Sequence, residues 1–376
     1  MREVSFAIGA DIAPVPSTYA AFASGSADAL VDAPIQTVLN RCDFRMFNLE
    51  APLADTEQPI KKCGPNLIAP TAAVKGIAAL CPSLLGISNN HILDQGEQGL
   101  FSTLQTLDQA GIAHIGAGAA KEQAASPCIF SKNGLKIGVY ACVEHEFSLV
   151  TERRAGANPF DPFESPDHVA ALKAQCDFVI VLYHGGRECY RYPSPHLQKV
   201  CRFLADKGAD LVVCQHTHCV GAMERYNGAA IVYGQGNFHF GHREDNEFWQ
   251  TSLLLEARFG ETVELSFHPI YSSKDGTRYA KGAAAEAILS GFDARSKEIL
   301  QPGFIEQAFL DEALKNKGWY LFALAGGKEK AGQFDRAFGS DYAQNVYLQM
   351  VNYLHCEPHL EVLQTAVTAL AGLNAQ

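Results

Sequence analysis

The sequence predicts a layered α/β domain followed by a mainly helical C-terminal region. Three observations lead there. Short apolar runs alternate with amphipathic stretches, several of those runs end in polar residues, and from about Lys281 the chain turns Ala/Leu/Glu-rich with helical spacing. Such alternation is what helices laid on sheets require. In order, the strand-like runs are Val4 to Ala10, Phe44 to Leu49, Leu84 to Ser88, Lys136 to Cys142, Phe178 to Tyr183, Leu211 to Cys214 and Ala230 to Tyr233. Between them, Gly99 to Ala110 (Leu100, Thr103, Leu104, Leu107) and Pro195 to Lys207 (Leu197, Val200, Cys201, Leu204) have the spacing of half-buried helices. Thr251–Ala257 and Thr262–Pro269 read as a strand pair. Beyond it Phe304, Ala308, Phe309 and Leu314, then Asn345 to Leu354 and Leu360 to Leu373, read as helices. One domain is therefore expected over residues 1–275 and a helical region over 276–376. Thr151 to Pro166 and Gly326 to Gly332 have the composition of mobile insertions.

The length, 376 residues, suffices for a sizeable core, and 47% hydrophobic with 19% charged residues is a globular composition. A disordered tail, a collagen-like chain and a small disulfide scaffold are excluded. A formal net charge of -11, with no block of Lys/Arg to offset it, disfavours nucleic-acid binding. No apolar run is long enough to span a bilayer, and Met1 to Phe6 passes directly into a strand pattern without a signal-peptide core. The eleven cysteines include Cys42, Cys142, Cys201 and Cys214 within apolar runs, which favours reduced buried thiols and a cytoplasmic setting.

Chemistry is concentrated where the runs end. The first leads to Gly9-Ala10-Asp11, the second to Asn48-Leu49-Glu50, and Leu84–Ile87 to Ser88-Asn89-Asn90-His91. Phe178–Tyr183 ends at His184, and Leu211–Cys214 at Gln215-His216-Thr217-His218. In open α/β sheets ligands sit beyond the carboxyl ends of strands, so these five tips can converge. Asp11 and Glu50 offer hard oxygens, Asn90 a carbonyl, and His184, His216 and His218 imidazoles. That set suits one or two ions of Mn, Fe or Zn. On a helix His216 and His218 would point roughly 200° apart, whereas in an extended segment they face the same way. Glu50 is the candidate bridge between two cations, and His91 the candidate acid for a leaving oxygen.

At these residues the chain resembles the CapA-type proteins, named for poly-γ-glutamate capsule synthesis, of the calcineurin-like metallophosphoesterase superfamily. The matching segments are Asn48-Leu49-Glu50-Ala51-Pro52, Asn89 to Gly96, His184-Gly185-Gly186-Arg187-Glu188-Cys189-Tyr190, and Gly208-Ala209-Asp210-Leu211 through His216-Thr217-His218 to Tyr233-Gly234-Gln235-Gly236-Asn237-Phe238. The resemblance implies a four-layer α-β-β-α sandwich of two mixed sheets with metals at the loop ends. By position, it puts Asp11 and His218 on one metal, Glu50 as the bridge, and Asn90, His184 and His216 on the other. The superfamily's first motif carries His two residues after the Asp, where this chain has Ala13; the family's Trp after the strand-four His is here Gly185. The resemblance also leads one to expect a membrane anchor, and no run within these 376 residues reads as one.

Arg187, Glu188, Arg191 and Lys62 are the candidate contacts to a small anionic or polymeric substrate, since Arg offers a bidentate fork and Lys a point charge. For Lys61 and Lys62 solvated surface is the stronger reading. Glu188 reads best as a group orienting His184. Asn48, Asp94 and Asn237 are expected to support the ligands, with Asp94 and Gly96 capping and turning the chain into the next helix. The expected activity is a metal-dependent phosphoesterase. The alternative is a capsule or exopolysaccharide component whose site acts on a γ-glutamyl polymer or serves as a metal-stabilised binding module. Oligomeric state is left open.

Overall fold

The computed structural model describes residues 2–324 and 339–370. Its strands begin with β1 (Val4–Ile12), β2 (Phe44–Leu49), β3 (Leu84–Gly86) and β4 (His114–Ile115). There follow β5 (Ala117–Gly118), β6 (Cys128–Lys132), β7 (Leu135–Val143), β8 (Gly156–Ala157), β9 (Phe178–His184) and β10 (Leu211–Gln215). The last are β11 (Met223–Tyr226), β12 (Ala229–Val232), β13 (Asn237–His239), β14 (Thr251–Phe259), β15 (Val263–Ser273) and β16 (Gly276–Tyr279).

Period-two alternation assigns each strand two faces. Val4, Phe6 and Ile8 of β1 meet Ile180 and Leu182 of β9, Leu211 and Val213 of β10 and Leu255, Ala257 and Phe259 of β14 in a core between two sheets. The opposite face of the first sheet (Ala7, Phe47, Leu49) packs on Ile35, Ile77, Leu100 and Leu107 from three helices. The opposite face of the second (Val179, Val181, Val212, Cys214) packs on Val169, Leu172, Leu197, Val200 and Leu204. The result is a four-layer α-β-β-α sandwich. Sheet orders are β16-β15-β14-β1-β2-β3-β4, with β13 also on β1, and β11-β12-β10-β9-β7-β6. Both sheets are mixed: β1–β4 and β7, β9, β10, β12 run parallel, flanked by antiparallel neighbours. Parallel strands bring Asp11 level with Asn48 and Asn237, and Gln215 level with His184. The carboxyl ends of both sheets therefore open at the same edge.

β16 pairs with β15, so the first sheet runs past residue 275. The stretch Thr151 to Pro166 is held by the β5–β8 pairing and by Ala155 N donating to Glu97 Oε1 at 2.7 Å, and is not a free insertion. Gly326 to Gly332 and the end of the last predicted helix lie outside the described residues. Helices Phe304–Leu324, Gly339–His355 and Glu357–Leu370 cluster through Phe309, Tyr353 and Leu363 onto Tyr190. Glu357 accepts from His145 N (2.7 Å) and Glu361 from His196 N (2.8 Å), fastening them to the sandwich. No helix among the described residues is long and apolar enough to cross a membrane. All eleven cysteines are unpaired; the Sγ atoms of buried Cys201 and Cys214 stand 3.5 Å apart.

Candidate metal centre

The pairing of β1 with β2 shifts register between Ile8 and Asp11, the irregularity that re-aims a side chain at a sheet end. Asp11 then reaches the second sheet, accepting from His216 N at 3.2 Å, while Asn48 Nδ2 donates to its Oδ1 at 2.8 Å. Glu50 follows β2 and is 0% exposed. Its Oε1 lies 3.7 Å from His218 Nε2 and 3.9 Å from both His184 Nε2 and His91 Nε2. Neither carboxylate oxygen of Glu50 meets a hydrogen-bond donor, and the neighbouring acid is Asp11.

His216 and His218 follow β10 with positive φ, 93° and 54°. They converge through left-handed backbone, not through the alternation of an extended segment. That conformation costs about 1–3 kcal/mol per non-glycine residue and concentrates at functional sites. The ring centroids of His184 and His216 are 4.8 Å apart. Asn90 Oδ1 stands 3.0 Å from His184 Nε2, the spacing of two ligands on one cation. His218 Nδ1 meets Asn237 Oδ1 at 2.8 Å, which leaves Nε2 facing Glu50. Asn48 Nδ2 reaches His184 Nδ1 at 3.3 Å. Trp249, 4.3 Å from the His218 ring, and Phe240 wall that side.

Electrostatics favour a cation here. Burial first, then the charges of Asp11 and Glu188, pushes the Glu50 carboxyl well above its ordinary range. Asp11 is raised by burial against the pull of His218. Burial drives His184 well down and His216 down to about 3, so both rings are held in the neutral, ligating form. Two buried carboxylates facing each other without donors are stabilised by positive charge. The donor set of oxygens and imidazoles fits a divalent transition metal.

His91 Nδ1 bonds Asp94, and Lys62 Nζ stands 3.1 Å from the same nitrogen while forming an ion pair with Asp94. Lys62 is thus buried, not solvated, whereas Lys61 is exposed. Asp94 is not a helix cap: it accepts from Leu67 N at 2.6 Å, and Gln95 occupies the cap position of helix Gly96–Gln109. Arg191 does not border the mouth described below: its Nη1 donates to Val220 O (3.2 Å) and its guanidinium lies over the Phe248 ring (4.8 Å). Glu188 makes no hydrogen bond with His184, whose Nδ1 belongs to Asn48; it lines the mouth instead. The mouth is a cavity of about 320 Å³ bordered by Lys62, His91, Arg187 and Glu188 of the sandwich and by Asn352 and His359 of the C-terminal helices. Arg187 Nε is buried there without a partner. A larger cavity of about 650 Å³, bordered by Ser17, Arg243 and Lys274, contains none of the strand-tip donors.

Sequence reasoning missed Glu144. Its Oε1 lies 3.4 Å from His216 Nε2, and its Oε2 accepts from Gly186 N at 2.8 Å. Nδ1 of His216 is buried without a partner and is the ring nitrogen left free to hold a cation. The signal was present, since β7 also ends in acids (Val143-Glu144-His145-Glu146). Gly185 belongs to the same arrangement. A Cβ there would stand 2.5 Å from Glu144 Oε2, so only glycine leaves room for the acid at this position.

The family model described as bacterial capsule synthesis protein PGA_cap matches residues 7–242. The PGA biosynthesis protein CapA of Bacillus subtilis (strain 168) is 27% identical over 211 residues, 55% of this chain and 55% of that one. A protein of Mycobacterium tuberculosis (strain CDC 1551 / Oshkosh), named "Probable polyglutamine synthesis accessory protein", is 32% identical over 177 residues, 44% of this chain and 47% of that one. The chain thus spans about half the length of the curated relatives it matches. Among solved structures, a 5'-nucleotidase precursor from Thermus thermophilus aligns with TM-score 0.40 and 13% identity, over 80% of this chain and 60% of that one.

Proposed function

The chain belongs to the bacterial capsule synthesis protein family PGA_cap, and from that premise we propose that it is a metal-dependent hydrolase of the phosphoesterase type. One observation carries the reading: Glu50 is fully buried, has no donor on either oxygen, and is ringed by imidazoles at 3.7–3.9 Å. In this reading Glu50, Asn90, His184 and His216 would hold one divalent cation, and Asp11 and His218, with Glu50, a second, a set that is a ligand poorer because residue 13 is Ala. When bound, divalent Mn, Fe or Zn supplies Lewis-acid polarisation of a phosphoryl oxygen and lowers the pKa of water.

The chain's own residues do the rest. Asp94 holds Nδ1 of His91 and so aims Nε2 into the cluster, where it gives a proton to the leaving oxygen. Arg187 and Lys62 hold the anionic part of the substrate at the mouth, and the aromatic wall of Phe240 and Trp249 keeps water from the His218 side. Protein purified without chelator should carry transition metal, and aryl phosphate mono- or diesters should turn over when Mn, Fe or Zn is added. Absence of both metal and metal-stimulated turnover overturns the reading. A second reading draws on the relatives' names: the same mouth, with Arg187 and Lys62 gripping carboxylates, acts on or holds a glutamate polymer. Turnover or binding of γ-linked oligoglutamate, in preference to phosphate esters, would replace the first reading with this one.

A further inference from the structure

Outside the strand-tip cluster, a second group of metal-ligating side chains joins the sandwich to the C-terminal helices. One donor atom each from Glu146, Cys356 and His359 lie within 4.8 Å of one another. Tetrahedral ligands about 2.0–2.3 Å from a shared zinc ion stand roughly 3.3–3.8 Å apart, which falls inside that limit. Cys356 immediately precedes helix Glu357–Leu370, and its carbonyl accepts from Leu360 N at 2.9 Å. Cys356 and His359 therefore sit three apart on one helical turn and share a face. Glu146 approaches from the segment after β7. Tyr320 Oη engages His359 Nδ1 at 2.8 Å, leaving Nε2 to ligate, as an outer hydrogen bond does for metal-bound histidines.

We propose that Glu146, Cys356 and His359 bind a zinc ion at a site distinct from the strand-tip centre, fastening the C-terminal helices over its mouth. Thiolate with imidazole selects zinc over the harder ions. Thiolate plus one carboxylate also cancels the charge of a dication, which suits a half-buried group whose thiol is fully covered. Glu144 stands beside the site, its Oε1 3.9 Å from Cys356 Sγ. Because Glu144 also meets His216, the two centres share a wall.

Thiolate ligation has its own signature, independent of turnover. Full-length protein loaded with Co(II) should show a sulfur-to-cobalt charge-transfer band in the near ultraviolet. The band should persist in His216→Ala, which disables the strand-tip centre, and vanish in Cys356→Ser with the loss of one zinc per chain from protein purified without chelator. If Cys356→Ser fails to fold, Glu146→Gln, which keeps the thiol, should cut zinc affinity at least tenfold. Cobalt bound without the band, or a band unchanged in Cys356→Ser, overturns the proposal. Absence of metal-stimulated phosphoesterase turnover in the unmutated protein, with the band present, would overturn the hydrolase reading and leave this one standing.

Discussion

Replacing Asp94 by Asn isolates the group that governs His91. Asp94 is 0% exposed and sits between His91, Lys62 and Leu67 N. The His91 ring is pushed below its ordinary pKa by burial and then by Lys62, with Asp94 as the main opposing pull. Asn keeps the volume and one oxygen for Leu67 N but removes the charge. A hydrogen bond to a charged group contributes about 1.5–3 kcal/mol, which is roughly one to two pKa units. In Asp94→Asn the His91 ring should therefore give up its proton one to two units lower in pH. Lys62, its side chain only 3% exposed, is left as an unpaired buried cation, at a cost of about 3–5 kcal/mol. Adding Lys62→Met should recover most of that stability. Histidine-ring NMR titration reads the first effect and denaturant unfolding the second. An unmoved His91 titration, or a double variant no more stable than Asp94→Asn, would refute the reasoning.

Gly185→Ala should destabilise by about 1–3 kcal/mol through overpacking against Glu144; adding Glu144→Ala should recover only part, because Tyr183 Cε1 also lies 2.6 Å from the new Cβ. His239 is held near pKa 4 by burial and then Arg278. Since its folded pKa lies below the unfolded 6.5, its stability is full above pH 6.5 and falls by about 3 kcal/mol by pH 4. In His239→Gln, pH-dependent unfolding should lack that share of the slope. Chelation should lower the melting temperature more at pH 8 than at pH 5: the raised carboxyls of Asp11 and Glu50 are comfortable only while protonated unless a cation faces them. A chelator effect that shrinks as pH rises would contradict this.

Much of the layering was legible because strands buried on both faces read as near-continuous apolar runs, as in Val4 to Ala10. The strand-tip donors Asp11, Glu50, Asn90, His184, His216 and His218 were legible for a related reason: a polar residue closing an apolar run has few structural explanations. Glu144 and Glu146 close β7 in the same way and were passed over. What pairing decides was not legible. Lys62 reads as surface until Asp94 is placed against it, and Arg191 reads as an anchor until Phe248 and Val220 occupy it. Nor does local spacing announce left-handed backbone at His216 and His218. The C-terminal helices could be read as helices, but their docking through Tyr190, Glu357 and Glu361 depends on partners distant in sequence.

β14 lies wholly beyond residue 242, where the recognisable family resemblance stops, yet it pairs along β1 from Val4 to Ile8 and contributes Leu255, Ala257 and Phe259 to the filling between the sheets. A fragment cut to the shared segment would strip β1 of that neighbour, baring a row of unsatisfied amides and carbonyls beside exposed aromatics, the template for strand-to-strand aggregation. The segment that carries the family's signature is therefore not a unit that could be excised and expected to stand.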